Sequence, residues 1–164
     1  MIDLEKLTKE ELGNLFPIYL EPYNYNWKNI FIDEQNKISR RINYEFQCKI
    51  DHIGSTSIIG ILAKPTIDIL LQIASDENAK KKIIDILKNE DYIHIPKPEN
   101  PPPSMMFVKG YTSNGFVGQT FHIHVRFFGD YDEIYFRDYL NNNFEIAKQY
   151  EFIKIELSKK FKND

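Results

Sequence analysis

The sequence contains a single cysteine, Cys48, and this scarcity excludes two kinds of site. One thiol cannot form an intrachain disulfide or a cysteine-rich zinc site, and it is compatible with a reducing compartment. No stretch approaches the roughly 18 apolar residues that a membrane helix needs, and the N-terminus lacks the basic and apolar segments of a signal peptide. We therefore expect a cytoplasmic protein that is neither exported nor inserted into a membrane.

The chain also lacks an excess of positive charge. Its formal net charge is -3 and its pI is near 5.8, so bulk attraction to nucleic acid is not expected and a polyanion would need a local patch. The 164 residues are 42% hydrophobic and 27% charged, which fits one folded domain over residues 1–164 and argues against intrinsic disorder. The oligomeric state stays open.

Hydrophobic periodicity divides the chain into helices and strands. Apolar positions at helical spacing predict a helix over 27–46, and Ser75-Asp76 precedes a second helix that ends near Asn89. Strands are predicted at 48–53, 66–73, 92–95, 105–111 and 116–128, with an antiparallel hairpin across the Asn-Gly turn at 112–115. Helices are predicted at 131–140 and 144–161, and the proline-rich 96–103 segment as an extended loop.

The loop Gly54-Ser55-Thr56-Ser57 follows a predicted strand and begins a short helical turn. Its backbone N–H groups and three hydroxyls can converge on a phosphate oxygen, although a turn with a helix cap uses the same residues without a ligand. Lys64 and Lys109, near strand ends, are further candidate anion ligands or simply exposed lysines.

Asp68 interrupts an otherwise apolar strand. Burying a carboxylate is unfavourable unless it is paired, hydrogen-bonded or bound to a metal. One interpretation is a structural acid that caps a turn or pairs with Lys64 or a histidine. The other is a ligand for a hard cation such as Mg²⁺, which bridges to substrate phosphate.

His122, His124 and Arg126 alternate along one predicted strand, so their side chains are expected on the same face. If that face also carries Asp68, the site can hold phosphate against Arg126 and histidine, or a transition metal through two imidazoles and a carboxylate. The alternative is that the histidines are satisfied by hydrogen bonds on a solvated sheet face.

Several motifs, in order along nearly the whole chain, resemble the signature of the GrpB family, a family of uncharacterised proteins. The matching segments are Pro22-Tyr23, Trp27 with Phe31, Asp51-His52-Ile53-Gly54-Ser55-Thr56-Ser57-Ile58, Gly60, Ala63-Lys64-Pro65, Ile67-Asp68-Ile69, Lys109-Gly110, His122-Ile123-His124-Val125, Phe136-Arg137-Asp138-Tyr139-Leu140, and Tyr150 with Lys154.

The resemblance implies a nucleotidyltransferase-like fold of the polymerase-beta type. We accordingly expect a two-layer α+β fold, with a mixed sheet of about four to six strands flanked by helices, two of them C-terminal. The superfamily pattern is a hydrophobic residue, Gly, then Gly or Ser, followed further along by two acids separated by one residue. Ile53-Gly54-Ser55 and Asp68 match this pattern, but Leu70 replaces the second acid, so standard two-metal transfer is in doubt.

The resemblance and the residues together predict a protein that binds a phosphorylated small molecule or nucleotide around Gly54-Ser55 and Asp68. The expected cofactor is a divalent metal, Mg²⁺ or Mn²⁺, or Zn²⁺ if His122 and His124 are ligands. Asp68 and His124 are the candidate catalytic residues. Two alternatives stay open: an active nucleotidyltransferase that moves a nucleoside monophosphate to an unknown acceptor, and a non-catalytic interaction module whose partner contacts the 96–103 loop or the C-terminal helices.

Overall fold

The computed structural model describes residues 8–42 and 45–162. Along the chain its elements are α1 (Lys9–Leu15), α2 (Trp27–Ile42), β1 (Cys48–Ile53), a 3₁₀ turn (Ser55–Ser57), β2 (Thr66–Ile73), α3 (Glu77–Lys88), β3 (Ile93–Pro96), β4 (Met105–Thr112), β5 (Gly115–Phe127), α4 (Asp132–Asn142) and α5 (Phe144–Lys160).

The five strands form one mixed sheet in the order β1-β2-β5-β4-β3. β2 runs antiparallel to β1 and parallel to β5, whereas β4 is antiparallel to both β5 and β3. The predicted α+β architecture with a mixed sheet and C-terminal helices is therefore confirmed. β2 lies between two neighbouring strands, which explains why its sequence is a nearly continuous apolar run rather than a polar-apolar alternation.

Helices α2 and α3 cover one face of the sheet and form the main core there. Its fully or almost fully buried members include Trp27, Ile38, Ile67, Ile69, Ile83, Leu87, Phe107 and Ile123. On the opposite face, Ile134 of α4 packs against Ile53 and Leu70. Leu140 and Ala147, from α4 and α5, pack on Ile58 and Ile61 beyond the 3₁₀ turn. Helices thus lie on both faces of the sheet.

The structure differs from the sequence-based prediction at three places. Helix α1 was not predicted, although Thr8 and Glu11 form a capping box that the sequence shows as Thr-x-x-Glu. Helix α2 ends at Ile42 rather than at residue 46, and residues 45–46 form a bend. Residues 43–44 of the predicted helix lie outside the described residues, as does the N-terminal segment examined for a signal peptide. The 97–103 segment is a series of turns rather than an extended loop, closed by a hydrogen bond from Lys97 N–H to the Ser104 carbonyl.

No helix among the described ranges combines the length and apolar character required to cross a bilayer.

Candidate functional site

Asp68, His122 and His124 form a compact group, the Asp68 cluster. Parallel pairing of β2 with β5 places Asp68 opposite His122, and Asp68 Oδ1 lies 3.2 Å from His122 Nδ1 and 3.5 Å from His124 Nε2. One ligand atom from each residue lies within 4.8 Å of the other two. The side chains are 20–23% exposed, so a small ligand can reach them. Two imidazoles and a carboxylate at this spacing fit one divalent ion.

The electrostatics of the cluster favour an ionised Asp68. Burial by itself would raise the pKa of this carboxyl, but hydrogen bonds from His122 and His124, and their charge when protonated, hold the pKa well below its usual range. The acid is therefore a carboxylate at neutral pH, as a metal ligand requires. It is also paired with histidines, which is one of the two interpretations that the sequence left open.

Tyr111 fixes the second nitrogen of His122. Its hydroxyl lies 2.6 Å from His122 Nε2, and the two rings stack with centroids 5.5 Å apart. Tyr111 reaches this face because the strand register shifts between Lys109 and Tyr111, where Gly110 has a φ of +87°. Burial is the main cause that raises the pKa of Tyr111 to about 12, so the phenol stays protonated. Sequence alternation did not reveal this residue; a glycine inside a strand, which often marks a bulge, is the signal that could have indicated it.

The Gly54 loop closes directly over Asp68. Gly54 has a φ of +69° and a ψ of -175°, and a Cβ atom there would lie 2.8 Å from Cβ and Cγ of Asp68. Thr56 is buried and donates its hydroxyl to the Thr66 carbonyl, while Ser57 donates its hydroxyl to the Gly54 carbonyl. In the part of the chain that the structure describes, the Ser55 hydroxyl forms no such bond, so it is the available hydroxyl of the three.

The charge of Asp68 influences the pKa of two half-buried lysines. Burial lowers the pKa of Lys64, and the negative charge of Asp68 opposes that shift. The Lys64 ammonium lies 5.3 Å from the centroid of the Phe116 ring. From α5, Lys154 donates a hydrogen bond of 2.7 Å to the Leu62 carbonyl, and burial lowers its pKa to about 8 against the opposing charges of Glu151 and Asp68.

Comparison with known proteins places the chain in a family. The model of the family described as "GrpB protein" matches residues 17–164. The chain belongs to the GrpB family. The glutamate-rich protein GrpB of Alkalihalophilus pseudofirmus is 34% identical over 150 residues, which cover 90% of this chain and 84% of that protein. The UPF0157 protein YqkA of Bacillus subtilis is 33% identical over 139 residues, 83% of this chain but 38% of that longer protein.

A solved structure supports the same assignment. The crystal structure of the conserved protein GrpB from Enterococcus faecalis matches with a TM-score of 0.72 and 25% identity, over 89% of this chain and 86% of that one. A cytoplasmic RNA terminal U-transferase matches with a TM-score of 0.49 and 13% identity, over 80% of this chain and 39% of that one, which is too low to support an inference. The match to the Enterococcus faecalis protein thus supports the GrpB fold of this chain and gives no information on its activity.

Two predicted ligand residues of this GrpB-family chain lie outside the Asp68 cluster. Lys109 pairs with Phe121 in the sheet and therefore faces the main core, on the side opposite Asp68, where its ammonium lies 3.1 Å from Glu34 Oε1. Arg126 shares the face of the histidines, as predicted, but it is buried and pairs with Glu133 at 3.3 Å and Asp130 at 3.7 Å. Neither cation is free to bind a ligand beside Asp68.

Leu70, which stands where the transferase pattern has its second acid, is fully buried between Ile53 and Ile134. The same face of β2 therefore changes from polar at Asp68 to apolar core only two residues later. An acid at this position would point into the packing beneath α4 rather than toward a second metal ion. Leu70 is thus part of the hydrophobic core of this GrpB-family protein.

Proposed function

We propose that this protein binds one divalent transition metal at Asp68, His122 and His124 and holds a phosphorylated small molecule next to it, at the Gly54-Ser55 loop. The observation that carries the proposal is the Asp68 cluster itself, whose three ligand atoms lie within 4.8 Å of one another on an accessible face of the sheet. The cluster supplies the metal ligands, and the loop above Asp68 supplies the donors for phosphate.

The ligand set favours zinc over magnesium. Magnesium prefers an all-oxygen octahedron, whereas imidazole nitrogen suits zinc and other transition metals. Tyr111 supports the histidine ligand, because a partner on Nε2 leaves the Nδ1 side of His122 directed toward Asp68. When bound, such an ion would polarise a phosphoryl oxygen as a Lewis acid.

The surroundings of the cluster favour an anionic ligand. Ser55 offers a hydroxyl at the start of the 3₁₀ turn, and Gly54 lets the backbone approach Asp68 more closely than any side chain would allow. Lys64 adds a positive charge nearby. With a divalent ion on Asp68, the local charge is positive in a protein whose net charge is negative, so a phosphate group would be attracted here rather than elsewhere on the surface.

We propose binding at one metal rather than two-metal nucleotidyl transfer because of Leu70. Two-metal transfer uses several carboxylates to hold both ions and to orient the attacking hydroxyl. Here the position of the second acid is part of an apolar cluster with Ile53 and Ile134. Asp68 alone would have to serve both ions.

Calorimetric titration tests the metal site. The wild type is expected to bind one Zn²⁺ per chain, and His124→Ala or Asp68→Asn to weaken that binding by at least about 100-fold, since each removes a direct ligand. His94→Ala is the matched control, because His94 stacks on Phe107 away from the cluster. Zinc binding that survives both cluster substitutions unchanged would refute the metal site.

The phosphate half of the proposal is tested separately, with pyrophosphate as the probe in saturating Mn²⁺. Ser55→Ala should weaken pyrophosphate binding several-fold, as the loss of one hydrogen bond to a charged group predicts, without changing metal affinity. If the wild type shows no binding of pyrophosphate, either with or without metal, the phosphate ligand is removed from the proposal. Incubation with labelled nucleoside triphosphates and a cell extract separates binding from turnover.

A further inference from the structure

Helices α4 and α5 form a hairpin whose inner face packs on the rest of the protein. Leu140 of α4 and Ala147 of α5 are buried against Ile58 and Ile61, beyond the 3₁₀ turn. These contacts fix which side of each helix is directed inward. The opposite side of the hairpin faces solvent in the part of the chain that the structure describes.

This outer side of the hairpin carries a patch of apolar side chains whose residues are 37% to 66% exposed. The parts on the two helices adjoin, because the Phe136 ring of α4 meets the Tyr150 ring of α5 edge-on, with centroids 5.4 Å apart. A contiguous apolar patch marks an interaction site, whereas single exposed apolar residues are ordinary. The members, here named the hairpin patch, are Tyr135, Phe136 and Tyr139 of α4 and Ile146, Ile153 and Leu157 of α5.

The area of the hairpin patch matches what a stable dimer needs. Its three aromatic side chains are about half exposed and present roughly 300 Å² of surface, at about 200 Å² for each complete side chain. Its three aliphatic side chains add roughly 200 Å². A standard interface covers about 800 Å² on each partner, of which about 60% is apolar. The patch therefore supplies the apolar half-interface of one copy.

The α5 stripe reads the same in both directions along the helix. Ile146, Tyr150, Ile153 and Leu157 are separated by four, three and four residues, which is the spacing of a seam between two packed helices. A second copy of α5 that runs antiparallel therefore places Ile146 of one copy opposite Leu157 of the other, and Tyr150 opposite Ile153. The twofold axis passes between Tyr150 and Ile153, as a self-complementary interface requires.

The charges at the two ends of α5 also favour an antiparallel second copy. Glu145 lies in the first turn of the helix, whereas Lys159 and Lys160 lie in the last turn. Antiparallel packing brings the acidic end of each copy near the basic end of the other and opposes the two helix dipoles. Parallel packing would instead place the lysines of the two copies side by side.

We infer that the hairpin patch is the interface of a twofold-symmetric homodimer in which α5 packs antiparallel against α5 of a second copy. The inference is independent of the proposed metal and phosphate binding, since the patch shares no residue with the Asp68 cluster or the Gly54 loop. It gives the exposed apolar residues of the C-terminal helices a partner of defined chemistry, namely the same residues of a second copy.

Sedimentation equilibrium between about 1 and 100 μM tests the dimer. The wild type is expected to have twice the chain mass of 19.5 kDa. Ile153→Asp should weaken association at least about 100-fold, because twofold symmetry buries the new charge twice. Phe152→Asp is the matched control. Phe152 is 64% exposed but lies about 100° around the helix from Ile153, outside the stripe, so this variant should stay dimeric.

Disulfide cross-linking in a Cys48→Ser background tests the alignment of the helices. A mixture of Ile146→Cys protein and Leu157→Cys protein should form a cross-linked dimer. Each variant alone should not, because identical positions lie about 16 Å apart along two antiparallel helices, which is too far for a disulfide. Circular dichroism should show the wild-type helix content in every variant, since these side chains are exposed.

Three results would overturn the inference. The first is a wild type that sediments as a monomer up to 100 μM, and the second is a dimer that Ile153→Asp and Phe152→Asp affect equally. The third is cross-linking of Leu157→Cys alone, which would show a parallel alignment. A monomeric wild type that binds phosphatidylcholine vesicles, with binding lost in Ile153→Asp, would assign the hairpin patch to a membrane surface instead.

Discussion

Replacing Gly54 with alanine tests whether the loop and the Asp68 cluster form one unit. The backbone at Gly54, with a φ of +69° and a ψ of -175°, lies in a region that is essentially restricted to glycine. The added methyl group would also lie 2.8 Å from Cβ and Cγ of Asp68, far inside van der Waals contact. Either the loop or the carboxylate must move.

The expected magnitude has two parts. Forcing alanine into this backbone conformation costs about 1–3 kcal/mol, and overpacking against Asp68 costs about 1–3 kcal/mol more. Gly118→Ala is the matched control, since Gly118 has a similar φ of +67° but a Cβ atom there would have no neighbour within 4 Å. The free energy of unfolding of Gly118→Ala should fall only by the backbone contribution, about 1–2 kcal/mol.

Urea denaturation of the two variants, combined with zinc titration, measures both effects. We expect Gly54→Ala to lower the free energy of unfolding more than Gly118→Ala does, and to weaken zinc binding at least about 10-fold by displacing Asp68. Gly118→Ala should keep wild-type zinc affinity. Equal destabilisation of the two variants, or undiminished zinc affinity in Gly54→Ala, would refute the reasoning that the loop closes on the metal ligand.

Three further predictions concern residues around the cluster. Leu70→Asp should lower the free energy of unfolding in urea by about 3–5 kcal/mol, because it buries an unpaired charge; a second bound metal ion per chain would contradict this. Tyr111→Phe should lower zinc affinity about 10-fold in calorimetry by freeing Nε2 of His122, and unchanged affinity would exclude a supporting role. Burial lowers the pKa of the His52 imidazole in the folded state to about 4. The stability that neutral His52 contributes is therefore fully present above pH 6.5 and is lost as the pH falls toward 4. The wild type should therefore lose about 2 kcal/mol more than His52→Gln between pH 7.5 and 5.0, whereas parallel pH profiles of urea denaturation would count against this.

Much of the sheet could be predicted from local pattern. The bounds of β1 and β2 agree with those predicted, because a short alternating run ended by Gly54 and a long β-branched run each have few alternative structures. The shared face of His122 and His124 followed from the same period of two. Asp68 lies on this face because β2 pairs in parallel with β5. From the sequence alone, a face shared by Asp68 and the histidines was only a condition of the predicted site.

The remaining site residues depend on packing that no local pattern records. Period-two reasoning fails at Gly110, where the register shift turns Tyr111 toward His122 while Lys109 faces the core. Arg126 was placed on the correct face, but sequence alternation does not show that Asp130 and Glu133 neutralise it. Lys154 reaches the Leu62 carbonyl only because α5 docks beside the segment that contains Leu62.

The parallel pairing of β2 with β5 also determines when the proposed metal site can form during synthesis of the chain. β5 is the last strand to be synthesised, yet it occupies the centre of the sheet and is the shared neighbour of β2 and β4. Asp68 precedes the two histidines by 54 and 56 positions, so no nascent chain that ends before His124 contains all three residues. A metal ion can then act only on the completed sheet, where a concentration of 100 times the dissociation constant would add about 2.7 kcal/mol of stability. Metal occupancy would thus report that the central strand has been inserted.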